Sequence, residues 1–268
     1  MFIARSSRWW NNSFDVYGKN VSHSLIRMIE TLSNNKRIAK NTILLYFRMI
    51  FMMLVQFYTS RVVLNTLGVN DYGIYNVVAG VVAMLSFLNS AMTSSTQRYI
   101  TFELGKGNME RLCQVFSTSI NIHIVISIFV VILGETVGLW FLYEKLVIPE
   151  TRMSDAIIVY QASIFTTVIA IMSYPFNADI VAHEEMSAFA YISILEAFLK
   201  LIAVALLVFG NIDKLRLYAY LLAGVQFCIS LCYIVYCRKQ FVESRIEWYF
   251  EKTLFREMLG FAGWNLWG

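Results

Sequence analysis

The sequence predicts an all-α, polytopic membrane protein, and three observations predict it. Hydrophobic residues make up 58% of the 268-residue chain and charged residues only 15%, against roughly 25% charge in an average soluble domain. The apolar residues gather into runs of the ~20 residues that cross a roughly 30 Å hydrocarbon core at about 1.5 Å per residue. There are two prolines, so little interrupts those runs as helices.

Six runs qualify, at 41–64, 72–92, 116–142, 156–181, 186–209 and 217–237. A seventh opens at Met258 as "MLGFAGWNLWG". Its helical reach to Gly268 is only about 16 Å, too short for a bilayer, so the chain reads as a fragment. The expected plan is a cytoplasmic, partly disordered N-terminal segment at 1–40, a six-helix lobe at 41–237, a cytoplasmic loop at 238–257 and a truncated seventh helix at 258–268. The opening "MFIARSSRWWNNSFDVYGKN" lacks the 7–15-residue apolar stretch of a secretory signal. The following "HSLIRMIETL" suits a short amphipathic helix at the inner surface, and Met28 is an alternative start.

Orientation follows from Lys and Arg, which are in excess in cytoplasmic loops. With the N-terminus inside, the cytoplasmic side holds fifteen of them: seven before the first run, three at Arg98, Lys106 and Arg111, and five after the sixth run. The outside holds four, Lys145, Arg152, Lys214 and Arg216. The N-terminus is therefore expected to be cytoplasmic.

The first run carries an arginine near each end, in "YFRMIFMMLVQFYTSRVVL". Arg61 is about a turn from the outer end and within snorkelling distance of the interface. Arg48 is about 10 Å above the inner end at Asn41, at the limit of that reach. Thr59, eleven residues on, returns to nearly the same face at about 100° per residue, with Gln56 about 80° away. Such a stripe would line an aqueous path, and guanidinium groups match phosphate oxygens bidentately.

Other intramembrane charges are functional candidates by default. Glu196 lies close to the midplane, with Lys200 at i+4 on the same face in the favourable order for an ion pair. The pair reads either as a structural bridge or as a polar element of a transport cavity. Glu135, about 10 Å below the outer end of its run, has no local partner and is a candidate coupling-ion or proton site. Asp179 and Arg98 read as interfacial.

Cys113, Cys228, Cys232 and Cys237 read as small buried hydrophobes, and with His23, His123 and His183 scattered, no metal site is expected. The connections at 93–115 and 238–257 contain no phosphate cradle, no Ser/His/Asp set and no DxD-like pair. "ELGKGN" is a turn of basic character without the GK[ST] of a Walker motif. No catalytic residues, cofactor or nucleic-acid partner are expected, and the chain is not read as an enzyme.

The stretch from "NTILLYFRM" to "FELGKGN", with "LGVNDYGIYNVV" and "TQRYITFELGKGN" as its carrying pieces, resembles the opening of polysaccharide-type flippases of the multidrug/oligosaccharidyl-lipid/polysaccharide exporter superfamily. "NADIVAHEEMSAFAYISILEAFLKL" and "FREMLGFAGWNLWG" extend the likeness from about Lys36 to the C-terminus. The resemblance implies the N-terminal lobe of a MATE-like fold, two six-helix lobes around a cavity that opens alternately to either face. It implies flipping of undecaprenyl-diphosphate-linked oligosaccharide across the bacterial inner membrane for polysaccharide or lipopolysaccharide biosynthesis. Arg48 and Arg61 match the family's first-helix arginines. Together with Gln56, Thr59 and Lys200 they form the expected substrate set, with Glu135 and Glu196 as sites for a coupling ion, H⁺ or Na⁺. Two rivals remain. A cation-coupled multidrug exporter of the same superfamily often uses a first-helix Asp, which 41–64 lacks. A membrane-embedded glycan-processing enzyme would need a sizeable outer loop. A lone lobe would also be inactive without a partner lobe to rock against.

Overall fold

The computed structural model describes residues 3–84, 87–210, 213–245, 249 and 251–267, with side chains at position 36 and from 39 onward except 87, 88 and 265–267. The chain forms two compact units, Met1–Phe47 and Arg48–Gly268. Helix α1 (Ile3–Met84) supplies the described backbone of the first unit. The expected partly disordered segment, 1–40, falls there, largely on residues whose side chains lie outside the described set.

In the second unit α1 continues to Met84 and breaks at Gly68, whose φ of 79° and ψ of 170° suit only glycine. The helices α2 (Phe87–Lys106), α3 (Met109–Leu133), a π turn (Gly134–Gly138), α4 (Leu139–Glu144), α5 (Glu150–Ala182), α6 (Met186–Phe209), α7 (Lys214–Gln240) and α8 (Lys252–Trp267) follow. Among the described residues five stretches are long and apolar enough to cross a membrane: Ala39–Met84, Met109–Glu144, Glu150–Ala182, Met186–Phe209 and Lys214–Gln240.

The surfaces of these helices fit a membrane as solvent. Met49, Ile50, Met53, Leu54, Phe57 and Tyr58 form an exposed apolar face on α1, and Tyr191, Leu195, Phe198, Ile202 and Leu206 form another on α6. In water such continuous patches would drive aggregation; against lipid tails they are at home. The protein is membrane-embedded and multi-pass. The sixth run's edges shift outward to Lys214 and Gln240, while the fifth coincides with α6.

The region 93–115, expected as a connection, is instead mostly helix. α2 carries helical geometry to Lys106, and α3 starts at Met109. Hydropathy misreads it because its polar side chains are buried against other helices. Ser95 Oγ donates to the Met258 carbonyl at 3.0 Å, and the Thr96 and Ser119 hydroxyls lie 2.8 Å apart. The expected "ELGKGN" turn is there, compressed to two residues. Gly107 takes φ 69°, its N–H and that of Asn108 close onto the carbonyls of Leu104 and Glu103, and the Asn108 side chain caps α3 through Arg111 N, a Schellman stop followed by an N-cap. Likewise α8 begins at Lys252, ahead of the expected Met258.

Packing centres on α5 and α7. Small polar residues bring them close: Ser173 Oγ donates to Ser230 Oγ at 2.5 Å and Cys237 Sγ to the Phe176 carbonyl at 3.3 Å. Phe176 meets Phe116 of α3 edge-on at 5.4 Å. The π turn has a visible cause. The Tyr160 hydroxyl of α5 donates to the Gly134 carbonyl at 2.7 Å, and a Cβ on Gly138 would lie 1.9 Å from that hydroxyl. Only glycine lets the rings and backbone meet, and the inserted hydroxyl widens the helix by one residue.

At the start of α5, Arg152 donates to Asp71 of α1 at 2.9 Å, to Asp155 at 2.9 Å and to Asp213, the N-cap of α7, at 2.6 Å. Arg216 Nε donates to the other Asp155 oxygen. This network ties the ends of three helices together.

Candidate functional site

The site is built along one stripe of α6. Phe189, Ser193, Glu196 and Lys200 recur at spacings of four, three and four, so they share a face, and that face meets α1. The Arg48 guanidinium lies 4.3 Å above the Phe189 ring, and its Nη1 donates to Ser193 Oγ at 3.0 Å. Further along, Phe51 meets Phe198 at 5.8 Å. Because 48 meets 189 and 193 while 51 meets 198, α1 and α6 run parallel here.

Beyond these contacts the two helices border a partly open cavity of about 200 Å³, lined by Gln56, Thr59, Ala197 and Lys200 among others, with Tyr218 and Leu222 of α7 on its wall. Lys200 Nζ donates to Glu196 Oε1 at 2.6 Å, so the ammonium enters the cavity wall already paired. The Thr59 hydroxyl donates to the Gln56 carbonyl at 3.1 Å, leaving its lone pairs for a ligand.

Of the residues expected from sequence, Gln56, Thr59 and Lys200 therefore share one cavity, with Glu196 bound to Lys200 at its edge. Arg48 lies along the same α1–α6 seam, half-buried, with Nε unpaired among the described residues. Arg61 is exposed and is not part of the lining. Glu135 is also exposed, in the π turn, and accepts from Gln161 Nε2 at 3.2 Å; it lies outside the cavity and has the partner its sequence surroundings did not reveal. Sequence reasoning missed Phe189 and Ser193. Their signal was there, in a helical register with Glu196 and Lys200.

A second cluster sits where α5 ends. The α5–α6 turn is another Schellman stop, with the N–H groups of Glu184 and Glu185 on the carbonyls of Val181 and Ile180. It needs a left-handed residue, and Glu184 fills that place at φ 58°. The stop sets His183 one turn after Asp179, and the segment after α7 brings Glu243 to it, with His183 Nε2–H donating to Glu243 Oε1 at 2.5 Å. Burial works against the imidazolium, but the Glu243 hydrogen bond and the charges of Asp179, Glu243 and Glu185 hold the His183 pKa above its ordinary value. Burial pushes the Glu243 carboxyl up, and the bond from His183 outweighs it, keeping its pKa low. Asp179, expected at the interface, is fully buried. These three are the residues among those described that are placed to hold a metal ion.

Compared with known proteins, the chain matches no family model, no curated protein and no solved structure.

Proposed function

We propose that the chain forms one helical lobe of a MATE-like flippase that moves an anionic, lipid-linked oligosaccharide across a bacterial inner membrane, with the N-terminus cytoplasmic. The observation that supports this reading is a cavity between apolar, lipid-facing helices that carries polar side chains on a partly apolar wall. Gln56, Thr59 and Lys200 line it, and Arg48 extends its cationic wall along the α1–α6 seam. Keeping such groups in a bilayer is costly, and a cavity with cationic and hydroxyl-bearing walls suits diphosphate and sugar. On this reading Ala39–Met84, 46 residues long and about 70 Å of helix, would supply two of the expected spans, with the break at Gly68 between them. Six spans followed by α8 are then the expected half of a two-lobed transporter. Glu196, bound to Lys200, is the carboxylate for which a coupling cation would compete with the ammonium.

Substitution of Arg48 in the intact transporter, with surface glycan measured in a flippase-deleted host, tests the reading. Arg48→Lys keeps the charge and the stacking on Phe189 but loses the planar fork, and should retain partial export. Arg48→Gln should retain very little at equal membrane abundance. Normal export by the Gln variant would remove Arg48 from the substrate path.

A further inference from the structure

Away from the α1–α6 cavity, the end of α5 and the segment after α7 bring three ligand-type side chains to one point. His183 Nε2 lies 2.5 Å from Glu243 Oε1 and 3.7 Å from Asp179 Oδ1, and the ligating atoms all lie within 4.8 Å of one another. Both carboxylates are enclosed by protein, Asp179 at 0% and Glu243 at 1% exposure. Neither oxygen of Asp179 has a hydrogen-bond partner among the described residues. A buried carboxylate facing an imidazole and a second carboxylate, with no donor of its own, is a costly arrangement unless a cation meets it.

We propose that Asp179, His183 and Glu243 bind a divalent transition-metal cation, of which Zn²⁺ is the best fit. One imidazole nitrogen and two carboxylate oxygens are a ligand set that Zn²⁺ takes in a tetrahedral shell, with the fourth position open to water or a further ligand. Once the ion displaces the Nε2 proton of His183 to solvent, two carboxylates and a neutral imidazole bring a net charge of −2 to a +2 ion, so the occupied site is neutral in its low-dielectric surroundings. The C-terminal end of α5 adds a negative dipole end at the same place. Orientation is provided as well: the His183 ring stacks on Phe241 at 4.0 Å and 8°, which fixes where Nε2 points. Access is through His183, whose side chain is 22% exposed while the carboxylates behind it are closed off. The bound ion joins the α5–α6 turn to the α7–α8 connection across sixty residues of chain. The site does not depend on what the α1–α6 cavity carries.

The test is direct binding by the purified chain in detergent. Isothermal titration with Zn²⁺ against a competing chelator should show one saturable equivalent. Asp179→Asn, His183→Gln and Glu243→Gln should each lose more affinity than the ~10–100-fold typical of changes behind the ligands. Phe241→Leu, which keeps every ligand, should lose less. A readout on the unaltered chain removes any dependence on how the variants fold: Co²⁺ should give the d–d bands of a tetrahedral nitrogen and oxygen shell without a thiolate charge-transfer band. Absence of a saturable equivalent, a thiolate band pointing to Cys237 or its neighbours, or affinity unmoved in a folded Asp179→Asn variant would each overturn the assignment.

Discussion

The two ends of α5 hold the same kind of residue in opposite circumstances. Near its start Asp155 takes hydrogen bonds from Arg152 and Arg216, and Arg152 also serves Asp71 and Asp213. About 36 Å further along the same helix, Asp179 is completely buried and accepts no hydrogen bond among the described residues, with the His183 imidazole 3.7 Å away. Charge alone says little about a carboxylate in a membrane protein; its partners decide what it does. At the first end Asp71, Asp155 and Asp213 each have a guanidinium, and the network acts as a fastening between three helices. At the second end a carboxylate is kept at a cost to stability, which is what a binding site does.

The largest effect that could break this contrast is expected from Arg152→Leu. It leaves Asp71, Asp155 and Asp213 facing one another without their shared cation. Breaking a buried pair costs about 3–5 kcal/mol; because Arg152 is 35% exposed, about 2–4 kcal/mol is expected, read as lost thermal stability in detergent. Acid should reproduce part of this loss. Burial raises the pKa of Asp213, but the hydrogen bond from Arg152 and those from the backbone outweigh it and hold the pKa below the ordinary 3.8. A depressed folded-state pKa means that its contribution is fully present above pH 3.8 and is lost as pH falls through the lower folded value. Unchanged stability in the Leu variant would show that the network fastens nothing.

A smaller effect of opposite sign is expected at the other end. Asp179→Asn, measured in EDTA, removes a buried charge that accepts no hydrogen bond among the described residues, so stability should hold or rise by about 1–2 kcal/mol. A fall of that size would mean that Asp179 is as well satisfied as Asp155, and the contrast would fail.

The smallest effect concerns the turn beside it. Glu184 sits at φ 58°, where a non-glycine residue costs about 1–2 kcal/mol; glycine would relieve that strain and give back about 0.5–1 kcal/mol in chain entropy. Glu184→Gly should therefore be about 0.5–1 kcal/mol more stable than Glu184→Ala, which loses the same side chain but keeps the left-handed strain, in a urea or thermal titration. Equal stability of the two variants would show that the turn carries no such strain.

Much of this protein was legible because its strongest signals are local. Apolar runs of bilayer length point to the five described stretches long and apolar enough to cross a membrane, while the run at 72–92 falls across the end of α1 and the start of α2. The bounds of α6 were readable to the residue, since Glu184 and Glu185 precede its run and Gly210 follows it. The Glu196–Lys200 pair was readable too, because i and i+4 on a helix are neighbours whatever the rest of the chain does. The Gly107 stop was equally local.

What only the tertiary structure decided are meetings between distant segments. Hydropathy scores a side chain against an assumed solvent, so it could not know that Ser95 and Thr96 of α2 face neighbouring helices, and it read a helix as a connection. Arg48 meets Ser193 across 145 residues, which turns a question about snorkelling into a contact with α6. A search for clustered histidines and cysteines finds nothing near His183 in sequence, because Glu243 arrives from sixty residues away. Spacing along a chain determines which residues share a face of one helix, and that follows from 3.6 residues per turn. Which faces meet depends on how small residues such as Ser173, Ser230, Gly134 and Gly138 let helices approach, and that is a property of the packed bundle.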